Sequence, residues 1–145
     1  MFYSENRSTI LVTGGCGFIG SNFIVKLLCQ TNDVNIVNLD ALTYAGNEIN
    51  LHEVWESPNY HFVHGRIEDT DLVKSVCIDF NVDGIINFAA ESHVDRSIED
   101  GKPFIDTNVI GTISLLNVAK ELKLKKFLQV STDEVYGSLE LNSNE

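Results

Sequence analysis

The chain has 145 residues, enough for one domain with a buried core, and its 43% hydrophobic and 21% charged content is ordinary for a soluble globular protein. Its net charge of −11 disfavours a nucleic-acid partner or an anionic membrane surface, since both attract basic patches. No apolar run approaches the roughly 20 residues of a membrane span, and residues 1–8 lack the apolar core of a signal peptide.

Strand and helix patterns alternate along the chain without an internal linker. In order, the sequence predicts a strand at 9–13, a helix at 18–29, a strand at 35–40, a short helix within 44–57, a strand at 60–64, a helix at 70–80, a strand at 83–89, a helix at 103–124 and a strand at 126–130. Repeated βα units of this length predict an α/β fold, a Rossmann-type doubly wound parallel sheet with strand order 3-2-1-4-5.

The helix predicted at 103–124 carries apolar residues around more of its circumference than one core-facing stripe needs. Pro103 suits its first turn, where a proline is tolerated. One face of this helix can therefore pack on the sheet while the other contacts a second partner.

The three cysteines, Cys16, Cys29 and Cys77, are too few and too scattered for a disulfide framework. They also lack the spacing of metal ligands. We therefore expect a reducing, cytoplasmic environment and no metal site.

A glycine-rich loop joins the first strand to the first helix, with Gly14, Gly17 and Gly20 in the spacing of a dinucleotide-binding loop. Such glycines let the backbone approach a pyrophosphate, and the amides at the start of the helix bind the anion. Asp40 closes the second strand 20 residues past Gly20, where a carboxylate can accept hydrogen bonds from the adenosine ribose. Its charge repels a 2′-phosphate, so the sequence predicts NAD rather than NADP.

Thr132, Asp133 and Glu134 directly follow the fifth strand. The carboxyl ends of parallel strands are where ligands bind in such sheets, and two adjacent carboxylates suggest paired acid and base chemistry. The alternative interpretation is a polar strand exit with a turn at Gly137.

The glycine loop resembles that of the extended short-chain dehydrogenase/reductase family. Three further segments, residues 40–47, 89–97 and 131–137, resemble the nucleotide-sugar 4,6-dehydratases of that family, which are typified by enzymes acting on dTDP-glucose. The order and spacing of the segments also fit, so the resemblance covers essentially the whole chain.

This resemblance implies NAD contacts at the phosphate loop, after the second, third and fourth strands, and in the long helix. The implied positions are Phe18, Ile19, Asp40, Ala41, Leu42, Thr43, Ile67, Phe88, Ala89, Ala90, Glu91, Ser92 and Thr107. One position departs from the family pattern, because Arg66 stands where an aspartate accepts from the adenine amino group. We expect Arg66 to stack on the adenine or to pair with a nearby carboxylate, with weaker cofactor affinity as the result.

The implied reaction oxidises the sugar at C4 by hydride transfer to NAD, eliminates water across C5 and C6, and returns the hydride to C6. In it Glu134 is the base, Asp133 is the acid, and Thr132 and Ser92 hydrogen-bond the sugar. Asp133 is the discriminating residue, since related decarboxylases and GDP-mannose dehydratases carry serine there. His93, Asp95 and Arg96 are interpreted as residues that fix a polar loop, and Tyr136 is expected to pack beneath the loop of the acidic pair.

The family's hydride-transfer tyrosine and lysine would lie past Glu145. Residues 1–145 are therefore expected to form a partial NAD-binding domain, incomplete at its C-terminal end, that binds dinucleotide weakly and turns over no nucleotide sugar alone. The family also implies a homodimer, formed through the helix at 103–124. Two alternatives remain: another extended short-chain enzyme acting on a nucleotide sugar, such as an epimerase or decarboxylase, or a non-catalytic NAD-binding module. The sequence does not choose between dTDP and UDP substrates.

Overall fold

Five parallel strands form the sheet in this computed structural model, which describes residues 7–137 apart from the side chains of Val94, Arg96, Ser97 and Glu134. The strands are β1 (Ser8–Thr13), β2 (Val34–Asp40), β3 (Tyr60–His64), β4 (Gly84–Asn87) and β5 (Lys126–Gln129). Their order is β3-β2-β1-β4-β5, and every neighbouring pair is parallel. The predicted strand order and fold class are confirmed.

Helices cover both faces of the sheet. The α-helices are α1 (Phe18–Gln30), α2 (Thr70–Asp79), α3 (Val94–Glu99), α4 (Lys102–Phe104) and α5 (Thr112–Glu121). A π-helix (Ile105–Gly111) joins α4 to α5, and 3₁₀ helices span Glu48–Val54 and Asp133–Tyr136. Within the described range, no helix has the length and apolar character that crossing a membrane requires.

The structure corrects three details of the sequence prediction. The helix predicted at 103–124 is π-helical near its N-terminal end, at Ile105–Gly111, and Asp95 and Arg96, expected to fix a polar loop, lie in α3. The strand predicted at 83–89 is shorter, because Asn87 Oδ1 accepts from the backbone N of Ala89 at 3.1 Å and the chain turns there. Such a side-chain bond replaces the next ladder bond, and no strand pattern in the sequence reveals it.

Alternate residues of the central strands point to opposite faces of the sheet, where they build two cores. Leu11 and Val37 join the cluster beneath α2 and α5, with Leu115 and Val118 from α5. Val12 and Ile36 join the second cluster, beneath α1. This division follows from the two-residue period of a strand, and it makes the sheet doubly wound.

A polar ladder crosses the carboxyl ends of three strands. Thr13 on β1, Asn87 on β4 and Gln129 on β5 are aligned by the strand register. The Thr13 hydroxyl donates to Asn87 Oδ1, and Asn87 Nδ2 donates to Gln129 Oε1 at 2.8 Å. The segments that follow these three strands therefore leave the sheet side by side.

Candidate functional site

Gly14 brings the loop after β1 against the segment after β4. Its φ is +69°, a left-handed conformation that glycine adopts at low cost. A Cβ at this position would lie 2.6 Å from the Ala89 backbone N, so only a hydrogen fits between the two backbones. The Gly14 amide also donates to Leu39 O at 3.0 Å, which fixes the loop to β2.

Gly17 precedes the first turn of α1 and leaves it open. This residue is the N-cap, and no side chain caps the amides that begin the helix. A Cβ at Gly17 would meet a single neighbour within 4 Å, Gly14 O at 3.4 Å. The side chains of Phe18 and Ile19 are 83% and 60% exposed. Uncapped first-turn amides next to open space form an arrangement that binds phosphate groups.

Asp40 closes β2 and holds two loops together. Its carboxylate is buried, and Oδ2 accepts from Cys16 N while Oδ1 accepts from Leu42 N, each at 2.8 Å. Leu42 has a φ of +50° and packs into the core beneath the glycine loop. Because an ionised carboxylate has about four acceptor sites, two such bonds leave capacity for ribose hydroxyls.

A buried polar network beneath the glycine loop was not predicted from the sequence. Asn38 Nδ2 donates to the Tyr60 hydroxyl at 3.0 Å and to Cys16 Sγ at 3.4 Å. Burial raises the pKa of the Cys16 thiol to about 12 and that of Tyr60 to about 12. The Cys16 thiol therefore stays protonated. The backbone oxygen of Cys16 accepts from Asn47 N and from Asn50 Nδ2, both at 3.0 Å. Its role is to anchor the loop, not to act as a nucleophile.

Asn108 is a second site residue that the sequence did not reveal. It lies in the π-helix, where its Oδ1 accepts from Glu91 N and its Nδ2 donates to Glu91 O, both at 2.8 Å. These two bonds fix the backbone of the segment after β4. An asparagine inside a predicted helix gives no signal of this role, because the partner is 17 residues away and meets it only in the folded chain.

An open cleft runs along the carboxyl ends of the strands. Twelve of the residues predicted to bind the cofactor line it: Gly14, Gly17, Asp40, Ala41, Thr43, Arg66, Ile67, Phe88, Ala89, Ala90, Glu91 and Thr107. Five predicted residues do not. Gly20 is buried where α1 packs on the loop, and Leu42 is partly buried against the core. Phe18 and Ile19 begin α1, and Ser92 is exposed beyond the cleft. Direct contact of these residues with NAD stays a prediction.

Arg66 pairs with a carboxylate, one of the two alternatives that the sequence left open. Its Nε lies 2.5 Å from Glu68 Oε1, and its side chain is 51% exposed. Both residues line the cleft.

The acidic pair follows β5 next to the segment after β4. Val130 N donates to Asn87 O at 3.1 Å, which continues the β4–β5 ladder by one residue. The Thr132 hydroxyl donates to Asp133 Oδ1 at 3.3 Å, and both residues are exposed. The Glu134 side chain lies outside the described part of the structure, so its predicted role is not tested by geometry.

The expectation that Tyr136 packs beneath this loop is wrong, because its side chain is 84% exposed. The 3₁₀ turn Asp133–Tyr136 leaves the sheet beside β5, an edge strand among the described residues, and nothing there covers the ring. The described side chains include no group of three or more His, Cys, Asp or Glu residues that could hold a metal ion.

Comparison with known proteins matches nearly the whole chain to one family. A family model described as GDP-mannose 4,6 dehydratase matches residues 11–145. The chain belongs to this family. The predicted resemblance to nucleotide-sugar 4,6-dehydratases is confirmed at the level of the family.

Several proteins are similar to this chain over nearly its whole length. The low-salt glycan biosynthesis protein Agl12 of Haloferax volcanii is 54% identical over 130 residues, 90% of this chain and 41% of that protein. The structure of dTDP-glucose 4,6-dehydratase from Bacillus anthracis in complex with NAD is 47% identical, with a TM-score of 0.84 over 94% of this chain and 41% of that one. The dTDP-glucose 4,6-dehydratase of Streptomyces venezuelae, with NAD and a second ligand bound, is 47% identical with a TM-score of 0.86 over 93% of this chain and 42% of that one. The chain thus spans about two fifths of the length of these relatives.

Proposed function

We propose that this chain supplies the NAD-binding loop and the dehydration residues of a nucleotide-sugar 4,6-dehydratase, with dTDP-glucose as the favoured substrate. The observation that carries the proposal is the meeting of two features at one sheet edge. The open glycine-loop cleft and the segment with Thr132 and Asp133 emerge from strands that the polar ladder holds in register. The NAD-bound dTDP-glucose dehydratases described above support the choice of cofactor and substrate.

The residues of the cleft fit a dinucleotide. Its pyrophosphate would lie over Gly17 and the uncapped amides of α1, where negative charge is stabilised. The adenosine ribose would lie at Asp40, and the nicotinamide would extend towards the ends of β4 and β5. A carboxylate at the ribose disfavours a 2′-phosphate, so NAD is preferred over NADP.

NAD, when bound, supplies a reversible hydride acceptor, and the chain's own side chains manage the elimination of water. Glu134 would take the proton from C5 of the sugar, which is acidic only while C4 is a ketone. Asp133 would donate a proton to the leaving C6 hydroxyl, and Thr132 and Ser92 would hydrogen-bond the sugar. In this scheme Glu134 starts as a carboxylate and Asp133 as an acid.

The test supplies dTDP-glucose and UDP-glucose to the complete product of the gene that encodes this chain. A 4-keto-6-deoxy sugar is expected, with dTDP-glucose favoured. Asp133→Asn and Glu134→Gln should each lower kcat by about 10²–10⁴-fold with little change in NAD affinity. Asp71→Asn, on the exposed surface of α2, is the matched control and should keep full activity.

The products separate the proposal from its alternatives. An epimerised sugar from these substrates, or carbon dioxide released when UDP-glucuronate is supplied in their place, would assign the chain to another nucleotide-sugar enzyme. NAD binding without turnover by the complete gene product would indicate a binding module. Full activity in both carboxylate variants would overturn the assigned roles.

We also propose that the protein forms a homodimer and works in the cytoplasm. The outer face of the π-helix and α5 exposes a row of apolar side chains, each 46–57% exposed: Ile105, Val109, Ile110, Ile113 and Leu116. A row of this kind on adjacent helical turns favours a protein partner. Cys16, Cys29 and Cys77 are all free thiols, which suits a reducing compartment. Sedimentation of the complete gene product with and without Ile113→Glu tests the dimer, and an unchanged mass would refute this interface.

A further inference from the structure

Arg66 is the only base among the described residues that line the cleft, where it faces three carboxylates, Asp40, Glu68 and Glu91. Arg66 also lines a neighbouring open cleft, where the other charged residues are Glu91, Glu99 and Asp100. Arg66 therefore stands at the boundary of the two clefts. Among the residues that line the two clefts, Arg66 is the one positive group that a ligand can contact.

The strand register places Arg66 at the adenosine end of the cleft. Asp40 on β2 pairs with His64 on β3, and Gly65 N donates to Asp40 O at 3.0 Å. Arg66 is the next residue, so it lies just beyond the carboxylate assigned to the ribose. In a dinucleotide bound across this edge, the group attached to that ribose is the adenine.

Glu68 holds the guanidinium by its edge. The Nε of Arg66 lies 2.5 Å from the Glu68 carboxylate, and the Arg66 side chain remains 51% exposed. A carboxylate bound at the Nε edge restricts rotation of the planar group, and half of the side chain's surface stays open to a ligand. The faces of a guanidinium stack on aromatic rings, including nucleobases.

We propose that Arg66 recognises the adenine by stacking its guanidinium face on the base, with Glu68 as the residue that positions it; this rests on the NAD binding proposed above. Stacking uses the π-face that every base has, whereas a carboxylate at this position would read the 6-amino group. The site should therefore tolerate a change at C6 of the purine. Adenine recognition by this chain is then a matter of shape and charge, not of hydrogen-bond pattern.

The experiment titrates NAD and nicotinamide hypoxanthine dinucleotide, which lacks the 6-amino group, into the complete product of the gene that encodes this chain. The wild-type protein should bind both within about threefold. Arg66→Ala should weaken both by about tenfold, and Glu68→Gln should weaken both by a smaller factor. Arg66→Lys should recover only part of the loss, because an ammonium has no planar face. Lys74→Ala is the matched control, since Lys74 is also paired with a carboxylate, Glu121, but lies on α2. It should bind both dinucleotides as the wild type does.

Several results would overturn the inference. A wild-type preference for NAD of more than tenfold would show that the amino group is read by hydrogen bonds. Wild-type NAD affinity in Arg66→Lys would make Arg66 a simple counter-charge for the diphosphate. The same conclusion would follow if the affinity difference between the wild type and Arg66→Ala disappeared at high salt. Tighter binding of NADP than NAD would make it a 2′-phosphate partner. If the wild-type protein binds no dinucleotide, the NAD proposal itself fails. If Arg66→Ala binds NAD as tightly as the wild type does, only the role of Arg66 fails.

Discussion

Gly14 and Gly17 separate the two tasks of the glycine loop, because a methyl group at each position meets different surroundings. At Gly14 it meets the backbone of Ala89 at 2.6 Å and must adopt a φ of +69°. At Gly17 the φ is −76°, which any residue adopts, and the methyl meets only Gly14 O at 3.4 Å. We predict that Gly14→Ala damages the fold and that Gly17→Ala damages binding alone.

The magnitude for Gly14→Ala follows from two contributions. A left-handed conformation costs an alanine about 1 kcal/mol or slightly more. The clash with Ala89 involves backbone atoms, which no rotamer change relieves, and forced repacking of this kind costs about 1–3 kcal/mol. The free energy of unfolding should therefore fall by about 2–4 kcal/mol. For a chain of this size, that lowers Tm by roughly 6–15 °C.

Gly17→Ala serves as the matched control for the fold and as the test of the cleft. Its free energy of unfolding should stay within about 0.5 kcal/mol of the wild type, since the methyl enters open space in an ordinary conformation. The same methyl occupies the space over the first turn of α1, so NAD affinity should fall at least about tenfold. Denaturant unfolding measures the first quantity. Amide chemical-shift titration with NAD measures the second, and it detects weak binding.

Two outcomes would refute this reasoning. Wild-type NAD affinity in Gly17→Ala would mean that the pyrophosphate does not lie over the start of α1. A stability loss under about 1 kcal/mol in Gly14→Ala would mean that the loop and the segment after β4 are free to move apart, and the cleft would then not be preformed.

Three further predictions concern the supports of this edge and the opposite end of the sheet. Asn108→Ala removes both hydrogen bonds to the Glu91 backbone, so NAD affinity should fall about 3–10-fold and the free energy of unfolding by about 1 kcal/mol. Calorimetric titration measures the affinity, and an unchanged value would show that Asn108 does not position the site. Cys16→Ala should cost about 1–2 kcal/mol in denaturant unfolding and leave NAD affinity within twofold; a large affinity loss would show that the thiol acts on the ligand. Hydrogen bonds from Lys125 and from Thr9 N lower the pKa of Asp83, so its stabilisation is complete above the unfolded pKa and is lost as pH falls through the folded one. Asp83→Asn should thus lower the free energy of unfolding by about 1 kcal/mol at pH 7 and reduce its further fall below about pH 4. The same pH dependence below about pH 4 in the variant and the wild type would contradict this.

The sequence predicted what depends on local pattern. The strand and helix positions, the glycine loop and the placement of Asp40 followed from hydrophobic periodicity and from the spacing of Gly14, Gly17 and Gly20, since each is a property of neighbouring residues. The strand order followed from the doubly wound topology that repeated βα units favour. The π-helix did not, because its hydrogen bonds span one residue more than those of an α-helix and the apolar pattern of residues 103–124 suits either form.

Contacts between distant segments also lay beyond the sequence. The pairing of Asn108 with Glu91 depends on the packing of the π-helix over the end of β4. The exposure of Tyr136 depends on what covers β5, and a tyrosine after a strand suits a buried or an exposed ring equally well. In both cases the deciding partner is remote in the chain.

Asp40 shows why the recognition of the ribose and of the pyrophosphate cannot be separated at this edge. The carboxylate that would meet the ribose is the same group that accepts from Cys16 N in the glycine loop and from Leu42 N in the next loop. Its charge strengthens both of these buried hydrogen bonds, and the bonds in turn fix the position of its remaining acceptor sites. A neutral amide side chain has one acceptor oxygen and would turn a donor towards one of the two amides. The acid at the end of β2 is therefore required by the fold of the loop before any cofactor arrives, and the predicted preference for an unphosphorylated ribose would follow from a charge that the architecture already needs.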